Sequence, residues 1–498
     1  MGAPRLRWAA MKYRTQLLAF SVPMLLTALT GVAAADPWAV PGEGRLRHDL
    51  QLLADAGLVR APLTAWPVSW GEVSRDLSGQ DVANRPPHVA AAVARVRAAA
   101  AEAMRTGDWR MAGRVAASGN PMALRRFSDV PREEAELEGA LQYTGDVLAM
   151  RLQATVVANP DDDKDVRADG SYVGAALGNW MLSAGLVDRW WGPGWEGSLI
   201  YGTNQRPIPA VTLERDYSDP FETKWLSWIG RWRLVLTMGQ LEEERTDYPD
   251  TLFYGMRITW KPHDRLEIGL SRSAQWCGDG RPCSWDTFWD LFRGNDNDQA
   301  LEDQPGNQMA GVDFRWSVPW APFALYGQYI GEDEAGGFPS KYLGLFGAES
   351  WGGWGDKSWR VHVEYADTAC DFPADPPEFG CAYRNGIYTD GYQYRNRSIG
   401  HGLDGDSEQI AFGVVLVDAD GSSWEVATQA AKLNREGVNA VHSVSAVPLD
   451  LVSADLYHSR GLLGGTLKLG LGYERRDSDM REFDEDGVRG FLQWSRQM

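Results

Sequence analysis

The sequence predicts an all-β transmembrane barrel that follows an N-terminal α-helical bundle. Three observations predict this fold: an export signal at the start of the chain, a long series of segments in which apolar residues alternate with small or polar ones, and aromatic residues at the ends of those segments. Beyond the export signal no apolar run reaches the length of about 18 residues that a membrane-spanning helix needs, which excludes a helical membrane bundle. A soluble propeller or large sandwich is the alternative fold, since its strands also alternate.

Residues 1–35 have the composition of a secretory signal peptide. A basic stretch that ends at Arg14 is followed by an apolar run over residues 17–29, and alanines at 33–35 fit a small-residue cleavage site. We expect the mature chain to begin at Asp36, and Met11 is an alternative start of the signal. An uncleaved membrane anchor is the less favoured interpretation, because the apolar run is short for a span.

The four cysteines fit an exported protein. Cys277 and Cys283 lie close together in one loop rich in Gly, Pro and Asp, and Cys370 and Cys381 lie in another. We therefore expect two local disulfides that stabilise loops. A zinc site is the alternative, but neither pair has CxxC spacing or a nearby histidine.

Residues 36–135 are predicted to form the helical bundle. Leu46, Leu50 and Leu53 recur at helical spacing, Ser69-x-x-Glu72 has the pattern of a capping box, and an alanine-rich run starts at Pro87. Three short helices provide little core of their own, so we expect the bundle to dock on the barrel.

Residues 136–498 are predicted to form the barrel. At roughly 20 residues per strand and turn, the segment accommodates about 16–18 strands, preferably an even number. A last alternating strand that ends at Trp494 is similar to the C-terminal signal of outer-membrane proteins, although four residues follow it. The clearest alternating segments are residues 141–156, 232–238, 252–260, 266–270, 312–316, 359–365, 467–473 and 488–494.

The net charge of −19 narrows the possible partners. A nucleic-acid-binding protein needs a basic face, so nucleic acid is not expected as a partner. Attraction of a polybasic segment to anionic lipid is excluded for the same reason, although a barrel would still contact outer-membrane lipids through its apolar wall.

Several sequence strings together resemble the Wzi-type capsule-assembly proteins of the Gram-negative outer membrane. The densest is Arg-Trp-Trp-Gly-Pro-Gly-Trp-Glu-Gly-Ser-Leu at 189–199. The other strings lie at residues 49–58, 67–70, 204–209, 252–257, 269–272, 277–282, 294–297 and 399–402.

The resemblance implies a fold, a location and a role. It implies an 18-stranded barrel in the bacterial outer membrane, with the helical bundle at the periplasmic side. It also implies a lectin-like, non-enzymatic protein that attaches or organises capsular polysaccharide or exopolysaccharide at the cell surface, without a cofactor. A porin-like channel for sugars or anions is the alternative function. No binding residue of the family is transferred to this chain.

Two aromatic segments supply candidate carbohydrate-binding residues. Indole rings can stack on sugar rings, while carboxylates and guanidinium groups bind hydroxyls, and arginine can also bind uronate carboxylates. For the loop that contains Trp285, the alternative is a folded plug in which these residues pair with one another. For Trp190 and Trp191, the alternatives are an interfacial aromatic girdle and a turn packed on the helical bundle. The candidates are Trp276, Arg281, Trp285, Trp289, Arg293 and Asp296 in one loop, and Trp190 and Trp191 in the other.

Metal and catalytic sites are not predicted. Asp161–Asp163 and the Asn/Asp run at 295–298 lack the spacing of a calcium loop and are expected to be solvated. No nucleophile elbow is present, and His458 and Ser459 are adjacent on a strand and so point to opposite faces. A hydrolase that uses His401 or His458 is a distant third function.

Overall fold

Eighteen antiparallel strands form a closed barrel in the computed structural model, which describes residues 38–293, 304, 306–335, 338–480 and 484–498. The predicted signal peptide at 1–35 lies outside the described residues. The strands are β1 Trp109–Gly119, β2 Ala135–Thr144, β3 Leu148–Ala158, β4 Val166–Arg167 with Tyr172–Ala176, β5 Trp180–Gly185, β6 Ala210–Arg215, β7 Arg231–Gln240, β8 Leu252–His263, β9 Leu266–Trp276, β10 Gly306–Ser317, β11 Phe323–Ala335, β12 Phe338–Trp354, β13 Lys357–Asp367, β14 Glu408–Val417, β15 Ser423–Leu433, β16 Leu449–Leu462, β17 Gly465–Asp477 and β18 Glu485–Gln497.

The barrel closes because its last strand pairs with its first. Residues of β18 from Gly490 to Gln497 pair with β1 from Gly119 back to Ala112. Every other strand pairs with its neighbours in the chain, and the two short segments of β4 both pair with β3. Closure leaves no unpaired edge strand, which a sheet surrounded by lipid requires. The predicted all-β barrel is therefore confirmed.

Side chains alternate between an apolar outer face and a polar inner face. On β16, Val452 and Leu456 point outward and are exposed, whereas Asp455 lies between them and is buried inside. On β8, Ile258 points outward and Arg257 is buried in the lumen. This alternation is the pattern that lipid outside and polar contents inside impose on a barrel.

Tryptophans concentrate at one end of the wall. They lie at strand ends or in the connecting turns, with their indoles on the outer face. Such rings suit the boundary between lipid and water, since they have an apolar body and a polar N–H group. The most exposed members are Trp109, Trp225, Trp228, Trp320, Trp354 and Trp424.

The two ends of the barrel differ in the lengths of their connections. At the end where β1 begins, several strands are joined by two or three residues, as at 145–147, 264–265 and 355–356. The opposite end carries long loops, among them 186–209, 277–305 and 368–407. In bacterial outer-membrane barrels the short turns face the periplasm and the long loops face outward, which orients this chain.

Three helices precede the barrel: α1 Gly44–Asp55, α2 Trp70–Leu77 and α3 Pro87–Ala103. Their apolar faces pack together around Leu50, Leu53 and Val93. The Ser69 hydroxyl accepts the backbone N–H of Glu72 at 3.2 Å, as the capping-box pattern predicts. A fourth helix, α4 Trp285–Arg293, belongs to a long loop. None of the helices in the described ranges is long and apolar enough to cross a membrane.

The three helices dock in the mouth formed by the short connections. Arg95 donates to the carbonyl oxygen of Asp418 at 3.1 Å, in the turn between β14 and β15. Asp55, at the end of α1, reaches into the lumen and lies 2.9 Å from Arg315 of β10 and 3.3 Å from Arg360 of β13. Buried charges thus join the bundle to the inner wall.

The barrel wall begins earlier than the predicted boundary at residue 136. Strand β1 lies inside the range 36–135 that was expected to be helical, and it pairs with both β2 and β18. Its sequence alternates weakly because Ala112, Gly113, Ala116 and Ala117 occupy both faces. Its partner β18 also lies at the far end of the chain, so no local pattern reveals the pairing.

Residues 186–209 fold into the lumen and fill it; we call this segment the plug. The backbone N–H of Leu199 donates to Gln328 of β11 at 2.7 Å, and that of Trp195 donates to Glu364 of β13 at 2.7 Å. The Trp195 indole N–H donates to Glu349 of β12 at 3.0 Å. Polar groups of the wall thereby satisfy backbone groups of a loop that lies far from bulk water.

The long loop 368–407 covers the plug from the outer end. The hydroxyl of Tyr383 donates to the carbonyl oxygen of Leu199 at 2.6 Å, and that of Tyr392 donates to the carbonyl oxygen of Ile200 at 2.8 Å. Both tyrosines are buried. The lumen is therefore closed by helices at one end and by plug and loop at the other.

The filled lumen predicts that the protein conducts poorly. Purified barrel in planar bilayers should show no steady ohmic conductance, because the plug, loop 368–407 and the docked helices occupy the lumen. A general porin reconstituted in the same bilayers serves as the positive control. Stable single-channel steps at low voltage would contradict the occluded structure.

Replacing Asp55 by Ala should detach the helices from the wall. The change leaves two buried guanidinium groups short of a carboxylate, and breaking a buried ion pair costs about 3–5 kcal/mol. Denaturant unfolding in detergent and protease cleavage between α1 and α3 measure the effect. Asp108→Ala, at an exposed position just before β1, is the matched control, and equal behaviour of the two variants would contradict the role of Asp55.

Candidate functional site

Four loops at the outer end enclose a cavity of about 510 Å³. They connect β3 to β4, β7 to β8, β13 to β14 and β15 to β16. Among the described residues that line it, six are carboxylic acids and three are cations. They are Asp161, Asp162, Asp163, Glu242, Glu244, Asp390, Lys164, Arg245 and Arg395.

The floor of the cavity is held by buried hydrogen bonds. Arg245 forms a bidentate pair with Asp247 at 2.8 Å and donates to the carbonyl oxygens of Gln393 and Gly391 at 3.0 and 3.2 Å. The Gln393 amide donates to Asp404 at 3.1 Å. It also donates to the carbonyl oxygen of Val441, in the loop between β15 and β16, at 2.6 Å, so bonds between three loops hold these two side chains and the floor is pre-organised.

The rim of the cavity is more exposed and carries its remaining charges. Lys164 pairs with Glu244 across two loops, and Asp161 pairs with Arg397. Asp390 accepts hydrogen bonds from the backbone N–H and hydroxyl of Thr246. These exposed pairs contribute little to stability and can exchange partners with a ligand.

Two buried polar atoms in the cavity lining have no hydrogen-bond partner among the described residues: Oε2 of Glu242 and Oγ of Ser443. The other carboxylate oxygen of Glu242 accepts the backbone N–H of Arg395 at 3.0 Å. Burial raises the pKa of Glu242 above its ordinary value of 4.5. Because an unpaired buried polar atom is costly, these two atoms are the groups of the lining with hydrogen-bonding capacity left for a polar ligand or an ordered water.

The arrangement suits a ligand with many hydroxyl groups. Carboxylates such as Glu242 accept hydrogen bonds, while the Arg395 guanidinium, close to the ring of Tyr394, donates them. No group of three His, Cys, Asp or Glu residues in the described part of the chain is arranged to hold a metal ion. Asp162, from the acidic run, accepts hydrogen bonds from Arg167 and Arg206.

The predicted aromatic loop lies beside this cavity and does not line it. Trp276 is buried beneath α4, and its indole N–H donates to the Thr287 hydroxyl at 3.1 Å. Trp285 and Trp289, on α4, are 65% and 50% exposed. The two indoles are thus accessible, whereas Trp276 is covered.

The charged residues of that loop also differ in exposure. Arg281 is half-buried, lies over the ring of Tyr248 and donates to the carbonyl oxygen of Gln304. Arg293 is exposed at the end of α4. Asp296 lies outside the described residues. The loop is closed at its start by the Cys277–Cys283 disulfide, and loop 368–407 contains the Cys370–Cys381 disulfide.

Trp190 and Trp191 are not available to a ligand, which corrects the expectation that they stack on sugar. They are 1% and 0% exposed, since they belong to the plug. Trp190 pairs with Trp66 of the helical region, and its indole N–H donates to the carbonyl oxygen of Gly194 at 3.1 Å. A rigid Trp-Gly-Pro turn is equally suited to a binding rim and to a packed interior, so the sequence does not separate the two.

Sequence reasoning missed most of the residues that line the cavity, and it interpreted Asp161–Asp163 only as solvated acid. Glu242 and Ser443 are about 200 positions apart in the chain, and neither belongs to a recognisable motif. The acidic run at 161–163 and the charged run at 242–250 are the local signals that could have marked the site. Each resembles an ordinary solvated loop until the fold brings the other loops against it.

The fold and its contents define a class: an outer-membrane β-barrel whose lumen is occluded and whose outer loops form a polar cavity. The family model described as capsule assembly protein Wzi matches residues 105–486. The chain therefore belongs to the Wzi family of capsule assembly proteins, and it is a protein of the bacterial outer membrane.

Two relatives are similar over most of their length. One is the solved structure of Wzi from Escherichia coli, an outer membrane protein involved in group 1 capsule assembly and a carbohydrate-binding β-barrel. It is 28% identical in sequence to this chain, and the two structures superpose with a TM-score of 0.81. The match covers 92% of this chain and 98% of that one. An uncharacterized 55.8 kDa protein of the cps region of Klebsiella pneumoniae is 32% identical over 420 residues, which cover 83% of this chain and 81% of that protein.

Proposed function

We propose that this protein binds capsular polysaccharide or exopolysaccharide in the outer cavity and so attaches the polymer to the cell surface. The observation that carries the proposal is the pair of buried, unpartnered atoms of Glu242 and Ser443 in a cavity at the outer end of a closed barrel. Family membership, and the carbohydrate binding of the Escherichia coli relative, support it.

The cavity chemistry accounts for such binding without a covalent step. Sugar hydroxyls donate to the ionised Glu242 carboxylate and exchange hydrogen bonds with Ser443, while Arg395 donates to ring or hydroxyl oxygens. An acidic sugar can in addition place its carboxylate against Arg395. The volume falls within the range of about 300–1,000 Å³ that is usual for small-ligand sites, which suits a few sugar units of a longer chain.

The remaining parts of the chain take supporting roles in this proposal. Residues 1–35 direct export and are removed, α1 to α3 close the periplasmic mouth, and the outward apolar side chains contact outer-membrane lipid. The protein acts as a lectin and not as an enzyme, and it uses no cofactor. Nucleic acid is not a partner, given the net charge of −19. The plug favours binding over the porin-like alternative.

The sequence predicts Trp285 and Trp289 as sugar contacts, although their exposed indoles lie outside the lining of the cavity. They lie at the same outer end as the cavity, on a helix that borders one of its loops. If they contact glycan, Trp285→Ala and Trp289→Ala should lower retention of purified polysaccharide while the barrel stays folded. Unchanged retention would remove them from the site.

Glu242→Gln should weaken polysaccharide binding about 5- to 15-fold. The change replaces a charge-assisted hydrogen bond of about 1.5–3 kcal/mol by a neutral one of about 0.5–1.5 kcal/mol. Isothermal titration with the producing organism's own exopolysaccharide measures the loss. Glu243→Gln removes the same charge from the exposed neighbouring position, which does not line the cavity, and should bind normally. Equal affinities of the two variants would locate the site elsewhere.

Binding should also weaken as the pH falls. A ligand that donates to the ionised Glu242 carboxylate binds best above the pKa of that group and loses affinity as the pH falls through it. Because burial raises this pKa, the loss should begin at a higher pH than for an ordinary glutamate with a pKa of 4.5. Affinity measured over a pH series should show this dependence, and Glu242→Gln should flatten it. A wild-type profile that is flat in this range would contradict the role of the carboxylate.

Deleting the gene should leave polysaccharide synthesis intact and release the polymer into the medium. An attachment protein acts after synthesis, so total polymer should stay constant while the cell-bound fraction drops. Polymer in cell and supernatant fractions can be quantified, with the intact gene supplied in trans as the control. Loss of synthesis would contradict an attachment role.

A further inference from the structure

Helix α4 lies against the outer, lipid-facing side of the barrel wall. On β9, Ser273 and Gln275 point into the lumen, so Arg272, Ala274 and Trp276 point outward. Leu291 of α4 is buried in one cluster with Tyr254, Ala274 and Trp276, and Phe288 packs against the same residues. The Phe288 ring centroid lies 5.5 Å from that of Tyr254 and 5.2 Å from that of Trp276.

The contacts along β9 show which way α4 runs. Its first turn is attached at the outer end of the strand, where Thr287 accepts the indole N–H of Trp276. Its last turn is attached four residues further down, where Arg272 donates to the carbonyl oxygens of Leu291 and Phe292 at 2.6 and 2.7 Å. The helix therefore descends along the wall from the loop end toward the middle of the barrel.

The face of α4 that the wall does not cover is amphipathic. Trp285 and Trp289 are four residues apart, so they share one side of the helix, and Phe292 at the edge of that side is half-buried against the wall cluster. Asp286 and Asp290 lie on a different side, turned away from the wall. An apolar stripe beside an acidic stripe is the pattern of a helix at the boundary between lipid and water.

We propose that α4 is an interfacial membrane helix, with Trp285 and Trp289 inserted in the headgroup region of the outer leaflet. The occupant is lipid because the helix continues a surface that lipid already covers. Leu270, two residues from Arg272 on the same outer face of β9, is 46% exposed and belongs to the apolar band of the barrel. Tryptophan is the residue type that concentrates at this depth.

The segment that carries α4 also contacts the loops that border the outer cavity. The backbone N–H of Asp279, within the disulfide loop that precedes α4, donates to the carbonyl oxygen of Pro249 at 2.8 Å. The hydroxyl of Tyr388 donates to the carbonyl oxygen of Cys277 at 2.9 Å. Insertion of α4 in the leaflet thus fixes loops 241–251 and 368–407 relative to the membrane surface.

The depth of α4 can be measured with nitroxide spin labels. Trp289→Cys and, as a second position, Trp285→Cys are labelled in the full barrel and reconstituted in phosphatidylcholine nanodiscs. Power saturation then compares the access of oxygen, which concentrates in lipid, with that of a polar nickel complex. Asp286→Cys, on the acidic side of the same helix, and Leu270→Cys, in the apolar band, are the matched controls. Heat-modified migration on gels identifies the variants that are folded.

The oxygen-to-nickel ratio at positions 285 and 289 should be several-fold higher than at 286 and should approach the ratio at 270. Ratios at 285 and 289 equal to that at 286 would overturn the proposal. A second outcome would also overturn the proposal: nickel access at 289 that is high in nanodiscs and falls only when purified polysaccharide is added. The indoles would then contact glycan and not lipid.

Discussion

The structure depends on the need to satisfy buried charges inside a closed barrel. An unpaired charge in this interior would cost several kcal/mol, so each must meet a partner. Glu349 of β12 lies 2.6 Å from Arg315 of β10 and 2.8 Å from Arg360 of β13. Both arginines also pair with Asp55 of α1. Glu349 also accepts the Trp195 indole N–H, so one carboxylate links helices, wall and plug.

The shape of the outer cavity depends on this filled interior. The plug rests on wall residues, loop 368–407 rests on the plug, and that loop supplies the carbonyl groups that hold Arg245 in the cavity floor. The fit is close: a Cβ atom at Gly197 of the plug would lie 1.8 Å from the His401 ring. Burial lowers the pKa of His401 to about 4, so the ring is neutral where it packs. A binding site built on such support needs little ordering when a ligand arrives.

Predictions from the sequence succeeded where a local pattern carries the information. Alternation predicted most of the wall, and Ser69 caps α2 as its spacing indicates. Strand β1 was missed because small residues occupy both of its faces and its partner β18 is nearly 400 positions away. Trp190 and Trp191 were recognised as a rigid aromatic turn, but their burial depends on the lumen into which the turn folds.

The sequence by itself determined the class of fold and the family, because the strand period and the strings that resemble the Wzi family are readable over short stretches. Only the tertiary structure decided that the lumen is filled, that α4 lies on the outer wall, and that Glu242 and Ser443 line one cavity. The physical reason is that barrel closure brings together residues hundreds of positions apart. Local periodicity specifies whether a side chain points to the lumen or to the lipid. Barrel closure specifies which other residues that side chain contacts.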